Sequence, residues 1–174
     1  MKWFIGRTMP RWFGIAAHVL ASPLVLFGVP WALSLLGTRH GWLAGWPGVW
    51  NLLGLIPIAA GFGINTLCLR EHFKAAPDGW RIERTPHYPT PAYLLTEGPY
   101  RYSCNPIYVA EGLILVGWIV FYGSLLLLGV IAVAALFIGP IIVRREERGL
   151  EARFGAAYRE YRLTTPRWFG KPKR

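Results

Sequence analysis

Charge is scarce in this chain: Asp, Glu, Lys and Arg make up 16% of its 174 residues, and the stretches 12–36, 48–69 and 107–143 hold almost none. Cysteine is scarcer still. Cys68 and Cys104 lie far apart with no CxxC between them, so neither a disulfide framework nor a metal site is indicated. There is no internal repeat and no low-complexity segment. A dinucleotide-binding glycine loop is also missing: Gly61-Phe62-Gly63 lacks the third glycine and a preceding strand, and reads instead as a close contact between helices.

What fills the uncharged stretches is apolar, 53% of the chain in all. A membrane span needs ~20 apolar residues to cross ~30 Å of hydrocarbon. The first two stretches supply one span each, with the first bent near Pro23 and Pro30. The third is long enough for two shorter spans that turn at Gly123-Ser124. The expectation is an all-α integral membrane protein of about four transmembrane helices, the last two a tight hairpin. The run after Lys2, Arg7 and Arg11 is too long for a signal-peptide core and reads as the first span. Trp3, Phe4, Trp12 and Phe13 frame an interfacial arm ahead of it.

The net charge of +10 is placed as a membrane protein places it. Of the 19 basic residues only Arg39 falls in the first loop; the other 18 lie in the N-terminal arm, the 70–105 loop and the tail from 144. By the positive-inside rule those three segments, with both termini, are cytoplasmic, and the compartment expected is a bacterial inner membrane. The basic tail suits anionic lipid headgroups rather than nucleic acid. The domain organisation expected is a single unit over 1–174. It comprises an arm and two spans (1–69), a cytoplasmic loop (70–105), a helical hairpin (106–143) and a tail (144–174). The loop carries five prolines, so it should be mostly irregular or extended rather than helical, and so long a loop in so small a chain points to function. In the tail, Leu150, Phe154, Tyr158 and Tyr161 recur at helical spacing, so 144–163 reads as a cytoplasmic amphipathic helix.

Asn105 stands as an N-cap and Pro106 as the first residue of the third span, a helix start whose free amides attract an anionic group. In a hairpin topology Glu146 and Glu147 return to the same membrane face, with Tyr100, Tyr102 and Tyr108 as aromatic walls. Such a site suits a zwitterion that also carries a cation. The glutamates are equally able to pair with Arg144, Arg145 or Arg148 as plain interfacial charges.

The sequence Gly98-Pro99-Tyr100-Arg101-Tyr102, then Asn105-Pro106-Ile107-Tyr108, then Glu146-Glu147, Leu150, Arg153-Phe154-Gly155, Tyr158, Tyr161 and Pro166-Arg167-Trp168 resembles the isoprenylcysteine carboxyl methyltransferase and phospholipid methyltransferase superfamily. The likeness covers about 85–168. It implies a membrane-embedded methyltransferase that uses S-adenosylmethionine without a Rossmann domain. Carried over by position, Tyr100, Asn105, Pro106, Tyr108, Glu146 and Glu147 would bind the cofactor. Arg153 and Glu147 would act in catalysis, Arg153 by holding the acceptor. The acceptor implied is a lipophilic small molecule or lipid-modified group, methylated on carboxyl, amine, thiol or hydroxyl. His87 and Glu111 are candidate substrate residues, with Tyr93 and Glu97 as further acceptor contacts.

Two positions depart from that pattern. Cys104 stands where the family often has arginine, and Glu111 lies one turn inside the third span, where a carboxylate is costly. Glu111 also matches the glutamate of the NADPH-dependent sterol reductases, a rival reading; a catalytically decayed membrane subunit is a third. Cofactor binding separates the three.

Overall fold

The computed structural model describes residues 8–10, 12, 16, 24–77, 80–83 and 90–172. Along the chain come β1 (Thr8–Met9), a π-helical turn (Leu24–Gly28) leading into α1 (Val29–Leu35), β2 (Trp42–Leu43), β3 (Trp46–Pro47) and α2 (Val49–Leu52). Then follow α3 (Leu55–Ala75), β4 (Trp80–Glu83), β5 (Thr90–Pro91), a 3₁₀ turn (Gly98–Arg101), α4 (Pro106–Tyr122) and α5 (Leu125–Val133). A second π-helical turn (Ala134–Ile138) joins α5 to α6 (Gly139–Phe154), and α7 (Ala156–Thr164) is the last helix described. The interfacial arm, Pro23 and His87 lie largely or wholly outside the described residues.

The fold is mostly helical, as the apolar runs require, and the chain divides into two compact units. Among the described residues two helices are long and apolar enough to cross a membrane: Val49–Ala75, 27 residues, and Leu125–Phe154, 30 residues. Leu24–Leu35 and Pro106–Tyr122 are apolar but shorter.

The first unit holds Ala17–Asn65 and Ile107–Ile138. Its core is Leu26, Ile58, Ile114, Trp118, Tyr122 and Leu127. Glycine brings its helices close. A Cβ on Gly61 would come within 2.5 Å of the Ala110 carbonyl oxygen on α4, and one on Gly117 would reach the Gly54 carbonyl at the same distance. Gly63 meets nothing within 4 Å, so only half of the expected Gly-Phe-Gly contact is made. Where the sequence indicated a plain external loop, β2 and β3 pair as a hairpin, turning at Ala44 and Gly45, both with positive φ. Above it the Arg39 guanidinium lies 4.7 Å over Trp42 and 4.9 Å over Tyr122. Outward faces stay apolar: Leu125, Leu136 and Phe137 are each about two-thirds exposed.

The second unit holds Met1–Ala16, Thr66–Pro106 and Gly139–Arg174. The sequence expectations are adjusted here in three places. The loop begins after Ala75 and not at residue 70, because α3 runs on that far; no proline or glycine stops it earlier, and His72 and Lys74 suit the negative end of the helix dipole. Beside the helices that the sequence led one to expect, β1, β4 and β5 form a small antiparallel sheet, with Thr8 opposite Arg81 and Glu83 opposite Thr90. Pro91 fits there because β5 is an edge strand. Last, 144–163 is not one separate helix. Its first part continues the apolar helix without a break, and the chain turns at Gly155, whose φ of 55° is one that glycine adopts cheaply.

Candidate functional site

The site in the second unit starts from the periodicity of α6. Val143 and Glu147, one turn apart, are buried, while Arg144, Arg145 and Arg148 point to solvent. A carboxylate buried on the inner stripe of a helix needs a partner, and the residue that supplies it comes from the C-terminal segment. Arg167 Nε lies 2.8 Å from Glu147 Oε1 and Nη2 lies 2.9 Å from Oε2, a two-pronged pair. The neighbouring arginines of the same helix, which the sequence offered as alternatives, form none of the described ion pairs.

Asn105 joins this pair. Its Nδ2 donates to Glu147 Oε1 at 3.3 Å and to the Arg167 carbonyl at 3.0 Å, while its backbone amide donates to Ser103 Oγ at 2.9 Å. Among the described residues no group donates to Asn105 Oδ1, so the capping bond expected of this side chain is replaced by a bridge from its amide nitrogen. The segment 165–170 is stitched along 102–105. Cys104 N donates to the Pro166 carbonyl at 2.8 Å, Gly170 N to the Tyr102 carbonyl at 3.1 Å, and the Cys104 thiol faces the Thr165 carbonyl at 3.5 Å. Burial pushes that thiol's pKa up, which leaves it protonated and a poor nucleophile at neutral pH.

Tyrosine hydroxyls add to the same unit. Tyr161 Oη meets the Tyr100 carbonyl at 2.6 Å and the Ser103 carbonyl at 3.1 Å, tying α7 to the turn before Asn105. Tyr158 is 1% exposed and its Oη has no hydrogen-bond partner among the described residues. Burial first, and then the field of Glu147, push its pKa up. Tyr100 is buried too, and its pKa is raised by burial first, with Glu146 among the lesser causes. Glu147 thus both pairs with Arg167 and acts on Tyr158, while Glu146 is a lesser influence on Tyr100 and Tyr158. Consecutive helix residues point about 100° apart, so the two glutamates have different surroundings.

Tyr100 Oη lies 3.2 Å from His72 Nε2, and Tyr93 Oη lies 3.0 Å from His72 Nδ1. Neutral imidazole donates from one nitrogen and accepts at the other, so this chain of three is directional. Sequence reasoning passed over His72 and gave Arg167 no role. The only sign of Arg167 was its place in a Pro-Arg-Trp triplet, and His72 showed only as a basic residue closing a helix.

Arg153 is exposed, and its Nη2 donates to the Ala92 carbonyl at 3.2 Å. Pro106 is buried beside Asn105. Tyr108 and Glu111 belong to the other unit, both half-buried on α4. Glu111 lines a cavity of about 460 Å³ whose remaining walls, among them Val29, Leu33, Leu127 and Ile131, are apolar.

The residues present fit S-adenosylmethionine in kind: a buried phenol without a described partner and a carboxylate whose field reaches the phenols of Tyr100 and Tyr158 suit a zwitterionic sulfonium. Among the described residues no group of His, Cys, Asp and Glu is arranged to hold a metal ion. No curated protein and no solved structure matches the chain. A family model described as phospholipid methyltransferase does, over residues 50–157, a range that takes in Asn105 and both glutamates and stops short of Arg167. That match covers more than half of the sequence, and the chain belongs to the phospholipid methyltransferase family.

Proposed function

We propose that this protein is an integral membrane methyltransferase that uses S-adenosylmethionine to methylate a lipophilic acceptor at the cytoplasmic face. The observation that carries the reading is the meeting of Asn105 with Glu147 and Arg167 inside a chain of this family. Four spans remain the proposed topology. The two long helices span with length to spare, and α4, at 17 residues, sits at the lower end of the ~17–25 that suffice. The outward apolar faces and the basic residues of the tail support the same orientation. We take 1–174 as one methyltransferase domain built from both units.

Bound in the site, S-adenosylmethionine supplies a methyl group on a sulfonium leaving group. The protein's own residues hold and enclose it: Tyr100, Asn105, Pro106, Tyr108 and Glu146 as its contacts, and Glu147 as the carboxylate that organises them. Positioning is the main contribution expected, because alignment of nucleophile and methyl contributes up to ~7–11 kcal/mol to such reactions. Arg153 and His87 remain candidates for the acceptor. The apolar cavity with the single carboxylate of Glu111 suits a ligand with a long apolar body and one polar group.

The test is transfer of label from methyl-labelled S-adenosylmethionine to lipid-extractable product by membranes holding the protein. Labelled lipid that disappears with Glu146→Gln supports the reading. An absence of product over membranes without the protein, across acceptors bearing amine, carboxyl, thiol and hydroxyl groups, would refute it.

A further inference from the structure

We propose that Arg167 is a positioning residue of this site, fixing Asn105 so that its Oδ1 is presented to the ligand as a hydrogen-bond acceptor. This rests on the reading that the site takes S-adenosylmethionine. A carboxamide has two N–H donors on one side and an acceptor oxygen on the other. Asn105 Nδ2 faces Glu147 Oε1 and the Arg167 carbonyl, neither of which can donate. Turning the amide over would set its oxygen against two oxygens, so the network decides which way it points.

Arg167 controls both of those acceptors. One is its own carbonyl; the other is the carboxylate oxygen that its Nε holds at 2.8 Å. Without the guanidinium, the buried Glu147 carboxylate loses its described counter-charge and the fork that orients it, and Asn105 loses a fixed partner. A lysine would keep the charge but not the fork. The ligand group that Oδ1 receives is a donor: an ammonium, an exocyclic amine or a ribose hydroxyl. This reverses the polarity that the sequence assigns to Asn105, where a helix start was to receive an anion.

The experiment is calorimetry of the full chain in detergent with S-adenosylhomocysteine, each variant's thermal midpoint being measured alongside. Arg167→Ala and Asn105→Ala should each weaken binding about tenfold or more, the loss expected for a hydrogen bond to a charged or buried group. Arg167→Lys should fall between Arg167→Ala and wild type. The Arg167→Ala/Asn105→Ala double variant should bind no more weakly than the worse single variant, because one residue acts through the other. General structural damage would instead multiply the two losses. An Arg167→Ala protein that binds as wild type does, or a double variant whose losses multiply, overturns the proposal. Should Asn105→Ala fail to fold, Asn105→Ser is read in its place under the same criteria. Wild type that binds no nucleoside refutes the methyltransferase reading and this inference together; wild type that binds, with Arg167→Ala unaffected, refutes this inference alone.

Discussion

Each unit has its own internal physics. The apolar unit relies on close backbone approach and stacked rings: Gly61 against Ala110, Gly54 against Gly117, and Trp118 stacked on Tyr122 at 5.4 Å. The polar unit relies on hydrogen bonds between segments about sixty residues apart, Tyr161 to Tyr100 and Asn105 to Arg167. Shape complementarity tolerates no added volume, whereas a polar network tolerates volume but not the loss of a donor or acceptor. Substitutions of opposite kind should therefore injure the two units.

The largest effect is expected in the apolar unit. Leucine at Gly61 would drive side-chain carbons into the Ala110 backbone, which has no rotamer to yield. Gly61→Leu should abolish the monodisperse peak in detergent size-exclusion chromatography, and Gly63→Leu, with open space around it, should keep that peak. Equal behaviour of the two would mean that glycine is not what sets the helix separation.

Next comes Glu147→Gln in the polar unit. Read from sequence alone, Glu147 lines a pocket, and its loss should weaken cofactor binding while sparing stability. Its pairing with Arg167 alters that expectation. Removing one partner of a fully buried pair costs ~3–5 kcal/mol, and the 41% exposure of the Arg167 side chain lowers this to about 2 kcal/mol. Glu147→Gln should thus lower the thermal midpoint by roughly 4–8 °C as well as weaken binding. An unchanged midpoint would return Glu147 to the status of a pocket residue only.

How much could be read in advance follows from the same contrast. The apolar unit depends on local pattern: uncharged runs marked its helices, and Gly123-Ser124 marked the break between α4 and α5. The meeting of Asn105 with Glu147 was legible because an expected return of the last span to the same membrane face implies it. Arg167 was not, since nothing in a basic tail distinguishes the one arginine that folds back from those that stay in water. His72 escaped notice because α3 was expected to end at Leu69-Arg70, before it. The β1–β4–β5 sheet rests on two- to four-residue strands, too short for any period-2 signal.

The smallest effect concerns pH. Burial raises the pKa of Tyr93, Tyr100, Tyr158 and Tyr161, so the folded protein keeps protons that the unfolded chain releases near the ordinary tyrosine pKa of about 10. Where the folded state binds more protons, stability falls as pH rises. The thermal midpoint should be flat from about pH 7 to 8, begin to fall as the unfolded Cys104 thiol ionises near its ordinary pKa, and fall more steeply above about 10. Tyr158→Phe loses no described hydrogen bond, so it should leave the neutral-pH midpoint unchanged or higher and make the alkaline fall shallower. A midpoint that rises with pH above 10 would contradict the burial of these phenols.

The central claim is that the polar unit is a cofactor site and not merely a clasp for the C-terminal segment. Titration calorimetry of the purified, folded protein in detergent tests it, with S-adenosylhomocysteine in one arm and NADPH in the other. Micromolar binding of the nucleoside thioether and none of NADPH is the result expected. Binding of NADPH instead, or no heat with either in protein shown to be folded, would contradict it.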